Sequence, residues 1–228
     1  MIAAAPVEHE RSAERELMVL TVKNLAATAG VRPARQIDAK VTEAMRQVPR
    51  HLLVPEAVRA EAYDNTALPI GHGATISQPF IVALMTDVLD VRSTDRVLEV
   101  GTGSGYQAAI LSRLAGRVYS IEIVAPLAER AARQLAELGY GNVTVRSGDG
   151  YAGWPEHAPF DRIIVTAGAD HVPQPLIDQL RPGGRMVIPV GRNPDSLQLT
   201  LVTKNAQGRV RTRRLLPVSF VPLTRKAG

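Results

Sequence analysis

The sequence predicts an α/β fold: a doubly wound, mostly parallel, Rossmann-like sheet of seven strands, with an antiparallel C-terminal edge and an N-terminal helical extension. Three observations carry that expectation. From Arg96 onward, short apolar runs alternate with amphipathic segments, as strands and crossover helices do in a parallel sheet. The run Val97-Leu98-Glu99-Val100 opens into Gly101, Gly103 and Gly105, the strand–turn–helix form in which such sheets hold nucleotide-like ligands. The last two apolar runs are separated by Asn205-Ala206-Gln207-Gly208, a hairpin-type connection.

Each element follows from local pattern. Arg15–Ala29 places Met18, Val22, Leu25 and Ala29 on one helical face, and Gly30 suits the C-terminal stop. Asp38 is a good N-cap for a second helix that ends near Gln47, before Pro49. Pro49, Pro55, Pro69 and the Gly71-His72-Gly73 turn make residues 49–78 loop and short elements. Pro79 opens a third helix, whose Ile81, Leu84, Met85, Val88 and Leu89 recur at i, i+3, i+4, i+7 and i+8. Strands are then expected at 96–100, 117–122, 142–147, 161–167, 185–190, 197–203 and 209–216. Helices are expected at 104–115, 125–138 and 174–181, with Pro182-Gly183-Gly184 turning into the fifth strand.

Composition narrows the class. The 228 residues are 45% apolar, ordinary for a globular chain with a full core. No stretch approaches the roughly 20 apolar residues that cross a bilayer. The N-terminus, broken by Glu8, Glu10, Arg11, Glu14 and Arg15, has no signal-peptide core. A cytoplasmic protein without membrane contacts is expected. The absence of cysteine excludes disulfides, thiolate metal ligands and cysteine nucleophiles. The net charge of +5 comes from the C-terminal segment: Lys204, Arg209, Arg211, Arg213, Arg214, Arg225 and Lys226 stand there with no acid, while the rest of the chain carries twenty bases against twenty-two acids. Alternating Arg209, Arg211 and Arg213 suit the solvent face of an edge strand defended by charge, with an anion-attracting patch as the alternative.

The glycine segment points to a particular cofactor. A dinucleotide fingerprint would put its third glycine at position 106, where Tyr106 stands. Glu99 lies two residues before the first glycine; a carboxylate there repels a pyrophosphate and attracts the ammonium and sulfonium charges of S-adenosylmethionine. Thr102 and Ser104 complete the same turn. Glu122 ends the next strand and is placed to accept hydrogen bonds from both ribose hydroxyls, while Asp149-Gly150 follows the third, where Asp149 can accept from an adenine amino group. Each feature alone also reads as a tight turn or a solvated strand end. Together, in this order, they are those of the class I methyltransferases, so S-adenosylmethionine is the expected cofactor, S-adenosylhomocysteine the product, and no metal is expected.

The acceptor is suggested upstream. Leu68-Pro69-Ile70-Gly71-His72-Gly73-Ala74-Thr75-Ile76-Ser77-Gln78-Pro79 resembles the signature of the protein-L-isoaspartate (D-aspartate) O-methyltransferase family. The resemblance includes Val48-Pro49-Arg50-His51-Leu52, Glu99 through Gln107, Gly148-Asp149-Gly150-Tyr151, Ile163 through Ala167, Leu180 through Arg185, Val187 through Gly191 and Phe220-Val221-Pro222-Leu223, and spans roughly residues 15–224. It implies methyl transfer to the α-carboxylate of L-isoaspartyl residues in damaged proteins and peptides, with D-aspartyl residues as an open second acceptor. The ester then collapses to a succinimide, and the role is repair. The resemblance makes Ser77 the catalytic residue, its hydroxyl donating to that carboxylate. It makes Thr75, Ile76, Ser77, His72, Val221 and Leu223 the substrate-binding set. The plainer reading of Ser77 is a cap for the helix opened by Pro79. His51 suits a structural hydrogen bond, and His157 a surface position. Ser219 stands where many bacterial relatives carry a basic residue. The implied organisation is a flexible extension over 1–14 and one methyltransferase domain over 15–228. Within it, 15–95 hold the helices and substrate loop, 96–191 the cofactor-binding core, and 192–228 the C-terminal strands and tail. A monomer that binds no nucleic acid is expected. Two other readings stand beside this one: a methyltransferase for RNA or a small molecule, and a non-catalytic adenosylmethionine-binding domain.

Overall fold

The computed structural model describes residues 10–28 and 36–225. Helix α1 (Ser12–Thr28) precedes α2 (Ala39–Gln47), whose Asp38 cap accepts from Lys40 N–H at 2.9 Å as its sequence predicts. α1 starts three residues before the periodic pattern does, because Arg11 anchors its first turn on the carbonyls of Arg59 and Ala60. Ala29, the Gly30 stop, residues 1–9 of the expected extension, and Lys226 lie outside the described residues.

Strands β1 (Leu68–Gly71) and β2 (Ala74–Ile76) form an antiparallel hairpin. Its turn sets Gly71, His72 and Gly73 at φ of +91°, +55° and +71° in succession. Glycine tolerates such values, and flanking glycines let the one side chain between them follow. Helix α3 (Pro79–Leu89) begins directly after the hairpin. Its sequence predicts one apolar face, yet all eleven residues are buried, because the helix lies between α1 and α2 on one side and the main sheet on the other.

The main sheet comprises β3 (Arg96–Val100), β4 (Arg117–Glu122), β5 (Val143–Ser147), β6 (Phe160–Val165), β7 (Leu180–Val190), β8 (Leu197–Lys204) and β9 (Val210–Val218). Helices α4 (Tyr106–Ser112), α5 (Ala125–Glu137) and α6 (Gln174–Gln179) connect the parallel strands. The strand order is β5-β4-β3-β6-β7-β8-β9, seven strands as expected, parallel through β7 and antiparallel beyond it. The chain winds outward from β3 in one direction and then the other. The crevice outside the carboxyl ends of β3 and β6 is therefore the topological switch point where ligands of such sheets sit.

Alternation along the buried strands feeds two cores. Val97, Val118, Ile164 and Val187 face the helices, while Leu98, Ile121, Ile163 and Met186 face Trp154, Phe160 and Leu176 on the other side. β7 begins five residues earlier than expected. Leu180 already pairs with Phe160, and residues 181–184 bulge out before Arg185 pairs with Arg162. Gly183, at φ +80°, makes that bulge sterically accessible. β9 is the sheet edge, and every residue from Arg209 to Arg214 is exposed, matching the charge-defended strand. His157 is not a free surface residue: its ring stacks on Tyr119 with centroids 4.2 Å apart.

Candidate active site

The turn after β3 is tied to the end of β4. Gly101 N–H and Thr102 N–H both donate to the Ile121 carbonyl, at 2.8 and 3.3 Å. The Glu122 carboxylate completes the tie, accepting from Gly103 N–H at 2.8 Å through Oε2 and from Val124 N–H at 3.0 Å through Oε1. Glycine at 101 is required twice over: φ is +98°, and an added Cβ would run into the Thr166 hydroxyl. Gly103 and Gly105 also take positive φ, and a Cβ on Gly150 would strike Val100. Ser104 Oγ accepts from Tyr106 N–H at 3.2 Å and so steadies the first turn of α4.

One cavity gathers most of the sequence-predicted residues. Its walls include Gly101, Thr102, Gly103 and Ser104 from the turn, Glu122 from β4, and Gly150 beyond β5. From the other side come His72, Thr75, Ile76 and Ser77 of the hairpin, and Val221 and Leu223 of the tail. Three predicted residues are not brought to the wall. Gly105 packs against Leu135 of α5. Asp149 stands next to Gly150 and uses Oδ1 to cap Tyr151 N–H at 2.9 Å.

Glu99 is the third, and its place differs most from expectation. The side chain is fully buried behind the turn. Its Oε2 accepts from Ser120 Oγ at 2.5 Å, Ser120 Oγ lies 2.5 Å from Thr102 Oγ1, and Thr102 reaches the cavity. Its other oxygen has no partner among the described residues. Burial pushes the carboxyl up to about 8; the Ser120 hydrogen bond opposes the rise and the Glu122 charge adds to it. Glu99 thus supports the turn from behind, burial favouring its neutral form, and it reaches the cavity through Ser120 and Thr102.

The hairpin side settles the alternative reading of Ser77. The N-cap position of α3 is Gln78, with no side-chain cap bond, and the exposed N–H of Phe80 is met by Asn65 Oδ1 at 2.9 Å. Asn65, fifteen residues upstream, does the work expected of a local cap, and the Ser77 hydroxyl has no hydrogen-bond partner among the described residues. The Ser77 carbonyl accepts from Arg50 Nη2 at 2.8 Å. His51 fulfils its structural reading through Nδ1 and the Tyr63 hydroxyl, 2.7 Å apart.

The tail is fixed by backbone pairing. Gly168 N–H donates to the Val221 carbonyl at 2.8 Å, and Leu223 N–H to the Gly168 carbonyl at 2.7 Å. Arg225 covers the Tyr151 ring with its guanidinium carbon 4.1 Å from the centroid. Ser219 bonds to the Asp195 carbonyl at 3.2 Å on the exposed side. Asn65, Arg50, Ser120 and Gly168 carry no sequence signal for these roles, since each acts through a partner distant in the chain. Among the described residues no helix is long and apolar enough to cross a membrane.

A glycine turn clamped by a strand-end carboxylate at the switch point of a seven-stranded α/β sheet defines a Rossmann-like methyltransferase. The family model described as protein-L-isoaspartate(D-aspartate) O-methyltransferase matches residues 28–228. A protein-L-isoaspartate O-methyltransferase of Syntrophobacter fumaroxidans is 57% identical over 223 residues, covering 97% of this chain and 90% of its own. One of Opitutus terrae is 53% identical over 227 residues, covering 98% and 92%. A solved protein-L-isoaspartate O-methyltransferase superposes with a TM-score of 0.80 at 29% identity, over 91% of this chain and 65% of that one. A Plasmodium falciparum protein of the same description, solved with S-adenosyl-L-homocysteine, gives a TM-score of 0.73 at 26% identity, over 92% and 99%. The chain belongs to the protein-L-isoaspartate O-methyltransferase family, whose members are repair enzymes using S-adenosylmethionine.

The buried state of Glu99 has a measurable consequence. Unfolded, its carboxyl releases a proton near 4.5; folded, it holds the proton to about 8. Between those values the folded state binds more protons, so this group lowers stability as pH rises, by about 1.4 kcal/mol per pH unit. Glu99→Gln, which cannot ionise, is expected to match the parent near about pH 4 and to gain on it steadily toward about pH 8. Urea unfolding of both proteins across that range checks it, and a difference independent of pH would show that Glu99 ionises normally.

Proposed function

We propose that this chain transfers a methyl group from S-adenosylmethionine to the α-carboxylate of L-isoaspartyl residues in damaged proteins and peptides. The observation that carries this reading is the Ser77 hydroxyl, unbonded among the described residues, on the wall of the cavity that also holds Glu122 and the glycine turn. The acceptor carboxylate is ionised at neutral pH, so it is already a nucleophile and no general base is needed. Ser77 Oγ–H donates to one carboxylate oxygen and leaves the other free to react. Thr75 and Ile76 shape the adjoining wall, His72 borders it in the turn, and Val221 and Leu223 close it from the tail. The protein's contribution is chiefly orientation and exclusion of water.

The cavity suits the cofactor. Glu122 lines the cavity at the end of β4, and its carboxylate keeps lone pairs beyond those used on Gly103 and Val124, an acceptor set matched to a ribose diol. Val100 and Ile121 offer an apolar wall next to Gly150 for a purine ring, with Asp149 adjacent for its amino group. Bound there, S-adenosylmethionine supplies an electrophilic methyl on a sulfonium. No specific observation favours an RNA acceptor: the arginines of β9 do not line the cavity.

Labelled S-adenosylmethionine with two peptides differing only in aspartyl or isoaspartyl linkage tests the acceptor. Base-labile ester is expected on the isoaspartyl peptide alone; ester on neither overturns the reading. Ser77→Ala is expected to lower kcat by about 10²-fold, the scale of one lost transition-state donor, while S-adenosylhomocysteine affinity stays within about twofold. Turnover equal to the parent would remove Ser77 from the reaction. Glu122→Ala is expected to weaken S-adenosylhomocysteine at least about tenfold, as the loss of charged hydrogen bonds predicts. Calorimetric titration giving an unchanged affinity would refute the ribose assignment.

A further inference from the structure

Arg50 is a buried cation with no anion among the described residues to balance it. Its side chain is wholly inaccessible, its Nε donates to the Ala62 carbonyl at 2.7 Å, and its Nη2 donates to the Ser77 carbonyl at 2.8 Å. Nη1 has no partner, and no carboxylate pairs with the group among the described residues. The guanidinium carbon sits 4.7 Å from the centroid of the Tyr106 ring. Ser77 and Tyr106 both line the cavity, so Arg50 touches two of its wall residues from behind.

Such an arrangement is costly unless something offsets it. A buried charge is ordinarily paired, and an apolar residue of the same size is often at least as stable. Two carbonyls and one aromatic face satisfy a guanidinium only in part. Burial draws the group down to about 10, which still leaves it charged at neutral pH. Across a low-dielectric wall one unit charge is felt strongly. The proposed acceptor is an anion that must leave water at this wall.

We propose that Arg50 is a positioning and charge-selecting residue for the acceptor: it holds Ser77 and Tyr106 in place and supplies the positive charge behind the wall that favours a carboxylate over a neutral group. This rests on the isoaspartyl reading of the cavity. Tyr106, the residue that breaks the dinucleotide fingerprint, then has a reason of its own, since its ring separates the guanidinium from the cavity while passing its field.

The test uses two otherwise identical peptides, one isoaspartyl and one with the neutral isoasparaginyl group, the latter read as a competitive inhibitor. Arg50→Met is expected to lower kcat/KM for the isoaspartyl peptide by roughly 10- to 30-fold, the effect of one screened charge at short range. Inhibition by the isoasparaginyl peptide should change by less than about threefold, and S-adenosylhomocysteine affinity by less than about twofold. Arg50→Lys, which retains the charge without the planar fork, should keep the preference for the anion while losing kcat. Equal weakening of both peptides in Arg50→Met would overturn the proposal and leave Arg50 as a prop. So would an unchanged anion preference. If Arg50→Met does not fold, Arg50→Lys decides alone: loss of its anion preference refutes the charge role. Absence of methyl transfer by the parent enzyme itself would instead mark failure of the acceptor reading.

Discussion

The cavity depends on one carboxylate. Glu122 joins the turn after β3 to the start of α5 through two backbone N–H groups, adding to the ties that the Ile121 carbonyl and the Thr102–Ser120 hydroxyl pair make to β4. Backbone donors left free at a buried turn are costly. A carboxylate that satisfies two of them at once is therefore structural before any ligand arrives. Glu122 also lines the cavity, so the ribose diol proposed for it would meet a carboxylate already fixed in place. Under that proposed assignment the binding group and the scaffold group are the same residue, and its effect on affinity includes both parts.

The polar groups buried behind the wall divide by their charge. Burial raises the Glu99 carboxyl to about 8 and favours its neutral form, and it joins a hydroxyl chain through Ser120 to Thr102 that stiffens the turn. Arg50 stays charged and sets a field. A carboxyl can take up a proton within the range of ordinary pH, whereas a guanidinium resists losing one. The glycine turn and Glu122 thus stand on one side of the cavity, and the buried cation stands behind the hairpin side. That division is the one the proposed pairing of a sulfonium with a carboxylate acceptor calls for.

How much was legible follows from the range of each interaction. Strand ends and glycines are local in sequence, so Gly101, Gly103 and Glu122 were readable from order and spacing, as were the seven strands and the antiparallel edge. The bulge in β7 was not, because Pro182-Gly183-Gly184 reads equally as a turn and only pairing with β6 makes it strand. Ser77 was ambiguous for the same reason: from sequence it is a cap or a ligand. Asn65, which the loop folds onto Phe80 N–H, removes the cap reading and leaves the ligand role as a proposal. Glu99 is readable as a residue near the end of β3, but its burial is not, since β3 is buried on both faces and alternation does not say where each side chain ends up. Arg50 stands within a segment that carries the family resemblance, but its role has no signal, because the sequence does not show which cations lack partners.

The tail exposes a constraint that joins topology to function. β8 and β9 each reverse direction, so β9 runs parallel to β7 and ends at the same edge of the sheet as the strands that form the site. A single added strand would have delivered residues 219–223 to the opposite edge. With two, the chain crosses back over the ends of β7 and β8 and pairs with Gly168, just beyond β6. The exposed arginines of β9 sit on the open edge of that same sheet, where repelling charge discourages pairing with another chain.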